Sequence, residues 1–247
     1  MNLLGRLIDI IYPPRCPICQ RFLQNGAATN ENGGISFCRS CFRDFHRITS
    51  PLCPVCGTPF DSQSQGDHPC EGCLRKPPFY DALGAPYLYE GTLMEAIHQF
   101  KYGGKGFLAD SLGLLLARFA GEWVRESESL LAMPVPLHPK RLRERGFNQS
   151  LLLARHVARQ LGTKLDFLSL RRLRYTSPQI GLRSKERRNN VRGAFGLEDP
   201  VVVKGKTVLL VDDVATTGNT LNECARVVKR AGCKKVLGLV LARTKEI

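Results

Sequence analysis

The sequence predicts an α/β protein, a mainly parallel sheet flanked by helices, preceded by a small cysteine-rich module of two zinc ribbons with four cysteines each. Three observations carry that expectation. Eight of the ten cysteines stand in four CxxC pairs between residues 16 and 73. From residue 130 onward, short apolar runs alternate with amphipathic stretches, the pattern of βαβ units. Inside that region VLLVDDVATTGNT, residues 208–220, joins a continuous apolar strand to a hydroxyl-rich loop and a helix.

The chain has 247 residues, 43% apolar and 23% charged, which suits a folded protein and excludes a largely disordered one. Domains run ~100–200 residues, so one sizeable core plus a small module is expected. A Pro-containing linker, Lys76–Pro78, divides them into residues 1–78 and 79–247. No apolar run approaches the ~18 residues of a membrane span, and no signal peptide is read, so a cytoplasmic location is expected. Leu3, Leu4, Leu7, Ile8, Ile10 and Ile11 recur at helical spacing around Arg6 and Asp9. Such an N-terminal amphipathic helix suits the protein's own core, a partner groove or a peripheral place on the inner face of the membrane.

The CxxC pairs are Cys16 with Cys19, Cys38 with Cys41, Cys53 with Cys56 and Cys70 with Cys73. Two thiolates two residues apart face one metal from a tight turn, and two such knuckles complete the tetrahedron that zinc prefers. Disulfides are the alternative, but they need an oxidising compartment. Sequential pairing puts one ion on Cys16, Cys19, Cys38 and Cys41, and a second on Cys53, Cys56, Cys70 and Cys73. An interleaved cross-brace fits the same spacing. With sulfur at every position both ions are structural. His46 and His68 read as solvated loop residues, and Cys224 and Cys233 as small buried hydrophobes.

In the larger domain Thr92–Tyr102 reads as a helix, where His98 and Lys101 face either a site or solvent. Leu130–Pro136, Leu165–Leu170, Ala194–Leu197, Thr207–Asp212 and Lys235–Ala242 read as strands, and Gln149–Leu161 and Asn219–Ala231 as helices. The net charge of +14 is uneven: residues 138–192 hold 15 Lys and Arg against 3 Asp and Glu. A solvated face usually mixes both signs, so this segment points to a polyanionic ligand. Arg171–Arg192 reads as a long basic loop, broken at Ser177-Pro178. It suits either closure over a ligand or tracking of a nucleic-acid backbone through Arg183, Arg187 and Arg188.

The segment Val208–Thr220 is the most specific feature. A strand buried on both faces ends in Asp212 and Asp213, and ligands bind at that end of such sheets. The small residues Ala215, Thr216, Thr217 and Gly218 let backbone N–H groups approach a phosphate, and the helix N-terminus adds charge-complementary donors. Two carboxylates repel phosphate but suit vicinal hydroxyls of a ribose, with Mg²⁺ nearby. The ordinary alternative is an acidic strand end followed by Asn219 or Thr220 as a helix cap.

The motif resembles the signature by which type I phosphoribosyltransferases bind phosphoribosyl pyrophosphate. The resemblance implies that Asp212 and Asp213 contact the ribose, and that Val214, Ala215, Thr216, Thr217, Gly218, Asn219 and Thr220 form the 5′-phosphate loop. It also implies that Lys140, Arg141, Arg143 and Arg145, in PVPLHPKRLRERGFNQ, neutralise the leaving pyrophosphate. Asp212, Asp213, Lys140 and Arg145 are then the candidate catalytic residues. The whole chain is similar to the ComF family, which includes GntX, through these segments, the cysteine-rich front, His98, Lys101 and Tyr102 in IHQFKYGGK, and Thr176, Gln179, Arg187 and Asn190. That family implies handling of single-stranded DNA in natural transformation, with a DNA-uptake helicase or a recombination mediator as partner. Three functions fit: transfer of a phosphoribosyl group to a nitrogenous acceptor, nucleic-acid binding without turnover, and sensing of phosphoribosyl pyrophosphate.

Overall fold

The computed structural model describes residues 13–23, 37–60, 66–125, 129–176 and 190–245. The N-terminal amphipathic stretch, Gln179 and the basic residues Arg183, Arg187 and Arg188 lie outside the described residues.

The apolar run at residues 207–211 forms the central strand. Successive side chains of a strand point to opposite faces, so a run apolar at every position needs cover on both. β7 (Thr207–Ala215) has it: Leu209 and Val211 enter one core and Val208 and Leu210 the other, all fully buried. Burying each such side chain contributes about 1.5–3 kcal/mol. β7 pairs in parallel with β3 (Leu130–Pro134) on one side and β8 (Lys235–Arg243) on the other. The sheet is completed by β1 (Ala82–Gly84) and β2 (Tyr87–Leu88), both along β8, and by β4 (Lys164–Leu165) along β3. All these pairings are parallel.

Among the described residues, five α-helices accompany this sheet. α3 (Gly91–Tyr102), α4 (Leu108–Trp123) and α6 (Gln149–Leu161) cover the face of Leu209 and Val211. α7 (Asn219–Arg230) covers the opposite face through Leu221, Cys224, Ala225 and Val228. The short α5 (Pro139–Arg145) begins on the His138 cap, whose ring accepts from the Lys140 N–H at 3.2 Å. In front stand two short helices of the cysteine-rich module, α1 (Arg39–Arg43) and α2 (Glu71–Arg75).

Four expectations about strands are corrected. The run 165–170 is not one strand, because Asp166 turns the chain by accepting from the Leu168 and Ser169 N–H groups and the Ser169 hydroxyl. Beyond that turn, β5 (Leu170–Arg172) pairs antiparallel with β6 (Phe195–Leu197) in a separate two-stranded sheet, so the 194–197 segment is not part of the parallel sheet. The first expected strand stops at Pro134, two residues early. β7 runs three residues beyond Asp212, to Ala215, and so carries both carboxylates within it.

Candidate ligand site and zinc centres

Asp212 and Asp213 stand at the C-terminal end of β7 and are nearly excluded from solvent, at 9% and 3% exposure. Asp212 Oδ1 accepts from the Ser150 hydroxyl at 2.7 Å and from the Asp213 N–H at 2.9 Å. Ser150 sits in the first turn of α6, which starts where the Asn148 side chain caps the Ser150 N–H. From the last turn of α3, Lys101 Nζ lies 2.9 Å from Asp213 Oδ2. Burial, with the neighbouring Asp213 charge, pushes the Asp212 carboxyl up to about 7, against the opposing pull of Ser150 and Lys101. Burial alone lowers Lys101, but the Asp213 carboxylate outweighs it, so Lys101 is held above its ordinary value and charged.

Past β7 the chain turns at Gly218, whose φ of +70° belongs to the left-handed region that glycine adopts without strain. A Cβ there would also stand 3.1 Å from the Tyr80 hydroxyl. Gly218 itself is the N-cap of α7, and no side chain caps that turn, so the reading of Asn219 or Thr220 as an ordinary cap is corrected. The Thr217 hydroxyl is buried without a hydrogen-bond partner. A buried donor left unpaired costs about 1–3 kcal/mol, so this hydroxyl calls for a partner that the chain itself does not supply. The N-terminus of α7, where backbone N–H groups lack intrahelical partners, stands beside it.

Lys101, which pairs with Asp213, also lines a cavity of about 340 Å³ together with Tyr102, Gly104, Arg141, Glu144, Arg145 and Tyr175. Cations cover both tyrosines: Arg145 lies 5.1 Å from the Tyr102 ring centre, and Lys140 and Arg141 lie 4.8 and 5.8 Å from that of Tyr175. Arg145 also donates to Gln149 Oε1 at 2.5 Å, and Arg141 to the Thr176 carbonyl at 3.1 Å. Of the four predicted pyrophosphate residues, Arg141 and Arg145 line the cavity. Lys140 is exposed over Tyr175, and Arg143 is exposed without lining the cavity. His98 is exposed against Tyr102, on the solvent side of the helix that buries Lys101.

Sequence reasoning missed Ser150 and Arg172. Arg172 donates to the Thr176 hydroxyl and keeps a buried Nε unpartnered, and burial together with the charge of Arg141 lowers its pKa. No local motif flags either residue: Ser150 meets Asp212 across the fold, and Arg172 carries no motif beyond the basic run around it. For Lys101 the sequence allows a site or a solvated face, and the structure pairs it with Asp213, far along the chain, rather than with solvent.

The cysteines gather in two groups, Cys16, Cys19, Cys38 and Cys41, and Cys53, Cys56, Cys70 and Cys73, with the sulfurs of each within 4.8 Å of one another. Sulfur separations of 3.5 Å for Cys19–Cys38 and 3.7 Å for Cys56–Cys70 fit a tetrahedron with Zn–S bonds of ~2.3 Å, whose edges are ~3.8 Å. The Cys53 sulfur accepts from the Cys56 and Cys70 N–H groups at 3.5 and 3.3 Å, the outer bonding that steadies a thiolate ligand. The grouping is sequential, not cross-braced. His46, bonded to Glu90, and His68, stacked on Phe60, belong to neither group. Cys224 and Cys233 are buried as small hydrophobes.

Residues 7–74 match the double zinc ribbon domain and residues 148–246 the phosphoribosyl transferase domain. The chain is 35% identical over 235 residues to the DNA utilization protein YhgH of Escherichia coli (strain K12), covering 94% of this chain and 98% of that one. It is 32% identical over 220 residues to the Competence protein F of Haemophilus influenzae, covering 86% and 91%. The chain belongs to the ComF family. With its two matched domains, this ComF chain is a phosphoribosyltransferase-type parallel sheet behind a double zinc ribbon. Among solved structures, it is 24% identical to the allosteric regulatory enzyme of purine biosynthesis, over 52% of this chain and 24% of that one, with a TM-score of 0.35. Among the described residues no helix is long and apolar enough to cross a membrane.

Proposed function

We propose that this ComF protein binds phosphoribosyl pyrophosphate with Mg²⁺ and transfers the phosphoribosyl group to a nitrogenous acceptor, in the handling of single-stranded DNA during natural transformation. The observation that carries the reading is the strand end itself. Two buried carboxylates adjoin a loop whose Thr217 hydroxyl has no partner, and Lys101, paired with Asp213, lines a cavity with Arg141 and Arg145. In this reading Asp212 and Asp213 accept from the ribose hydroxyls, residues 214–220 hold the 5′-phosphate, and Arg141, Arg145 and Lys101 hold the pyrophosphate.

Transfer breaks the bond from the anomeric carbon to the pyrophosphate oxygen and forms one to the acceptor nitrogen. Charge develops on the departing pyrophosphate, so fixed cations in a confined cavity lower the barrier without a nucleophilic side chain. Mg²⁺ takes oxygen ligands from phosphates and one or two carboxylates, and bound there it would neutralise the diphosphate further. The residues present fit that role, since Asp212 and Asp213 bring the oxygen donors. Pyrophosphate release from phosphoribosyl pyrophosphate, screened against nucleobases and single-stranded DNA, tests transfer; release equal to that of Asp212→Asn with Asp213→Asn overturns it.

The DNA role draws support from the names of the relatives and from the basic segment 138–192. Anisotropy with labelled single strands is expected to show affinity that falls with salt and falls again when Arg183, Arg187 and Arg188 are neutralised. Salt-independent binding contradicts it. A second reading, sensing without turnover, is favoured by Lys101, whose pairing with Asp213 engages a carboxylate that the ribose would use.

A further inference from the structure

Arg243, at the end of β8, is 1% exposed and heads the largest fully buried side chains among the described residues. Among the described residues no carboxylate forms an ion pair with it. A buried, unpaired guanidinium is costly, so something else must balance the charge. Its Nη1 donates to the carbonyl of Cys56, one of the four cysteines of the second cluster, and its Nε donates to the Thr244 carbonyl at 3.2 Å. Zinc bound by four thiolates carries a net charge of −2. A partly buried dianion and a buried cation, joined through the Cys56 backbone, offset part of each other's desolvation cost.

The same contact leads to the anion loop. Thr244 donates its N–H to the Ala215 carbonyl at 3.1 Å and its hydroxyl to the Thr216 carbonyl at 3.2 Å. The knuckle is locked to the sheet as well: the Leu83 N–H donates to the Val55 carbonyl at 2.8 Å, and Gly57, at φ +69°, packs so tightly that a Cβ would stand 2.5 Å from the Leu83 carbonyl oxygen. Among the described residues the cation that meets the first cluster's backbone is Lys105, which donates to the Pro17 carbonyl at 3.0 Å and to the Gln99 side chain at 2.7 Å.

We infer that Arg243 is the counter-cation of the second zinc centre and that, through Thr244, this centre holds the loop 215–218 in its anion-binding shape. The first part rests on the zinc ribbon alone; only the use of the loop rests on the proposed phosphate ligand, so the two can fail separately. Zinc occupancy of one cluster would then set the order of a loop in the other domain.

The test uses the full chain carrying Cys19→Ser, in which the second ion is the one expected to remain. Native mass spectrometry under a chelator follows that ion, and hydrogen exchange follows residues 215–218 without any ligand. Arg243→Met is expected to lose the ion ~10–100-fold faster, as outer-shell changes do, while Arg243→Lys, which keeps the charge, loses it more slowly than Arg243→Met. Exchange at 215–218 is expected to rise ~10-fold or more with metal loss. Retention of zinc by folded Arg243→Met at the unchanged rate overturns the counter-cation. Should that variant not fold, Cys70→Ser in the otherwise wild-type chain decides the coupling. The loss of one ion with faster exchange at 215–218 supports it, and unchanged exchange overturns it.

Discussion

Lys101 Nζ lies 2.9 Å from Asp213 Oδ2, joining the last turn of α3 to the end of β7, with 18% and 5% of the two side chains exposed. Removing the cation leaves a buried carboxylate uncompensated, a loss of about 3–5 kcal/mol. Lys101→Met is expected to lower the urea midpoint by a corresponding amount at pH 8, and Lys101→Arg to recover much of it. Equal losses in both variants would show that packing, not charge, is the origin.

Asp212 carries a second signature. Its folded value of about 7 lies above the ~3.9 of an unfolded Asp, so the native state holds a proton through that window. Its contribution to stability is therefore greatest below the unfolded value and falls as pH rises from about 4 to 7. Asp212→Asn should stabilise the protein by on the order of 2–4 kcal/mol at pH 8, and by less at pH 5. A gain independent of pH contradicts this assignment. Ligand affinity in the wild type should rise from pH 6 to 8, because the ionised carboxylate accepts two hydroxyls.

Thr217→Val removes a hydroxyl that is buried without a partner. Stability is expected to hold or rise slightly, while affinity for phosphoribosyl pyrophosphate falls about tenfold, the worth of one hydrogen bond. Unchanged affinity would mean that the hydroxyl does not meet the phosphate.

The sequential grouping of cysteines makes zinc stoichiometry diagnostic. Cys16→Ser with Cys38→Ser should lose one ion, and Cys16→Ser with Cys53→Ser should lose two. A cross-brace that joins the first CxxC pair to the third reverses those counts.

The strand, the two carboxylates and the CxxC pairs were legible because their information is local: continuous Val and Leu at 208–211, then Asp212 and Asp213, then a glycine that only a left-handed turn requires. Ser150 and Arg243 were not, and Lys101 was legible only as one of two alternatives, since each acquires its role from a partner distant in sequence, such as Asp212, 62 residues from Ser150. The strand expected over 165–170 failed because Asp166 binds its own following backbone, a turn chemistry that competes with apolar periodicity. Arg143 was grouped with its neighbours by charge alone, but the turn of α5 leaves it outside the cavity that Arg141 and Arg145 line.

Calorimetric titration of phosphoribosyl pyrophosphate with Mg²⁺ into the wild type, and into Asp212→Asn with Asp213→Asn, tests the central claim most directly. Saturable one-site binding in the wild type that is lost in the folded double variant is the predicted result. The absence of binding to the folded wild type, or equal binding by both proteins, would contradict a ribose-phosphate site at the end of β7.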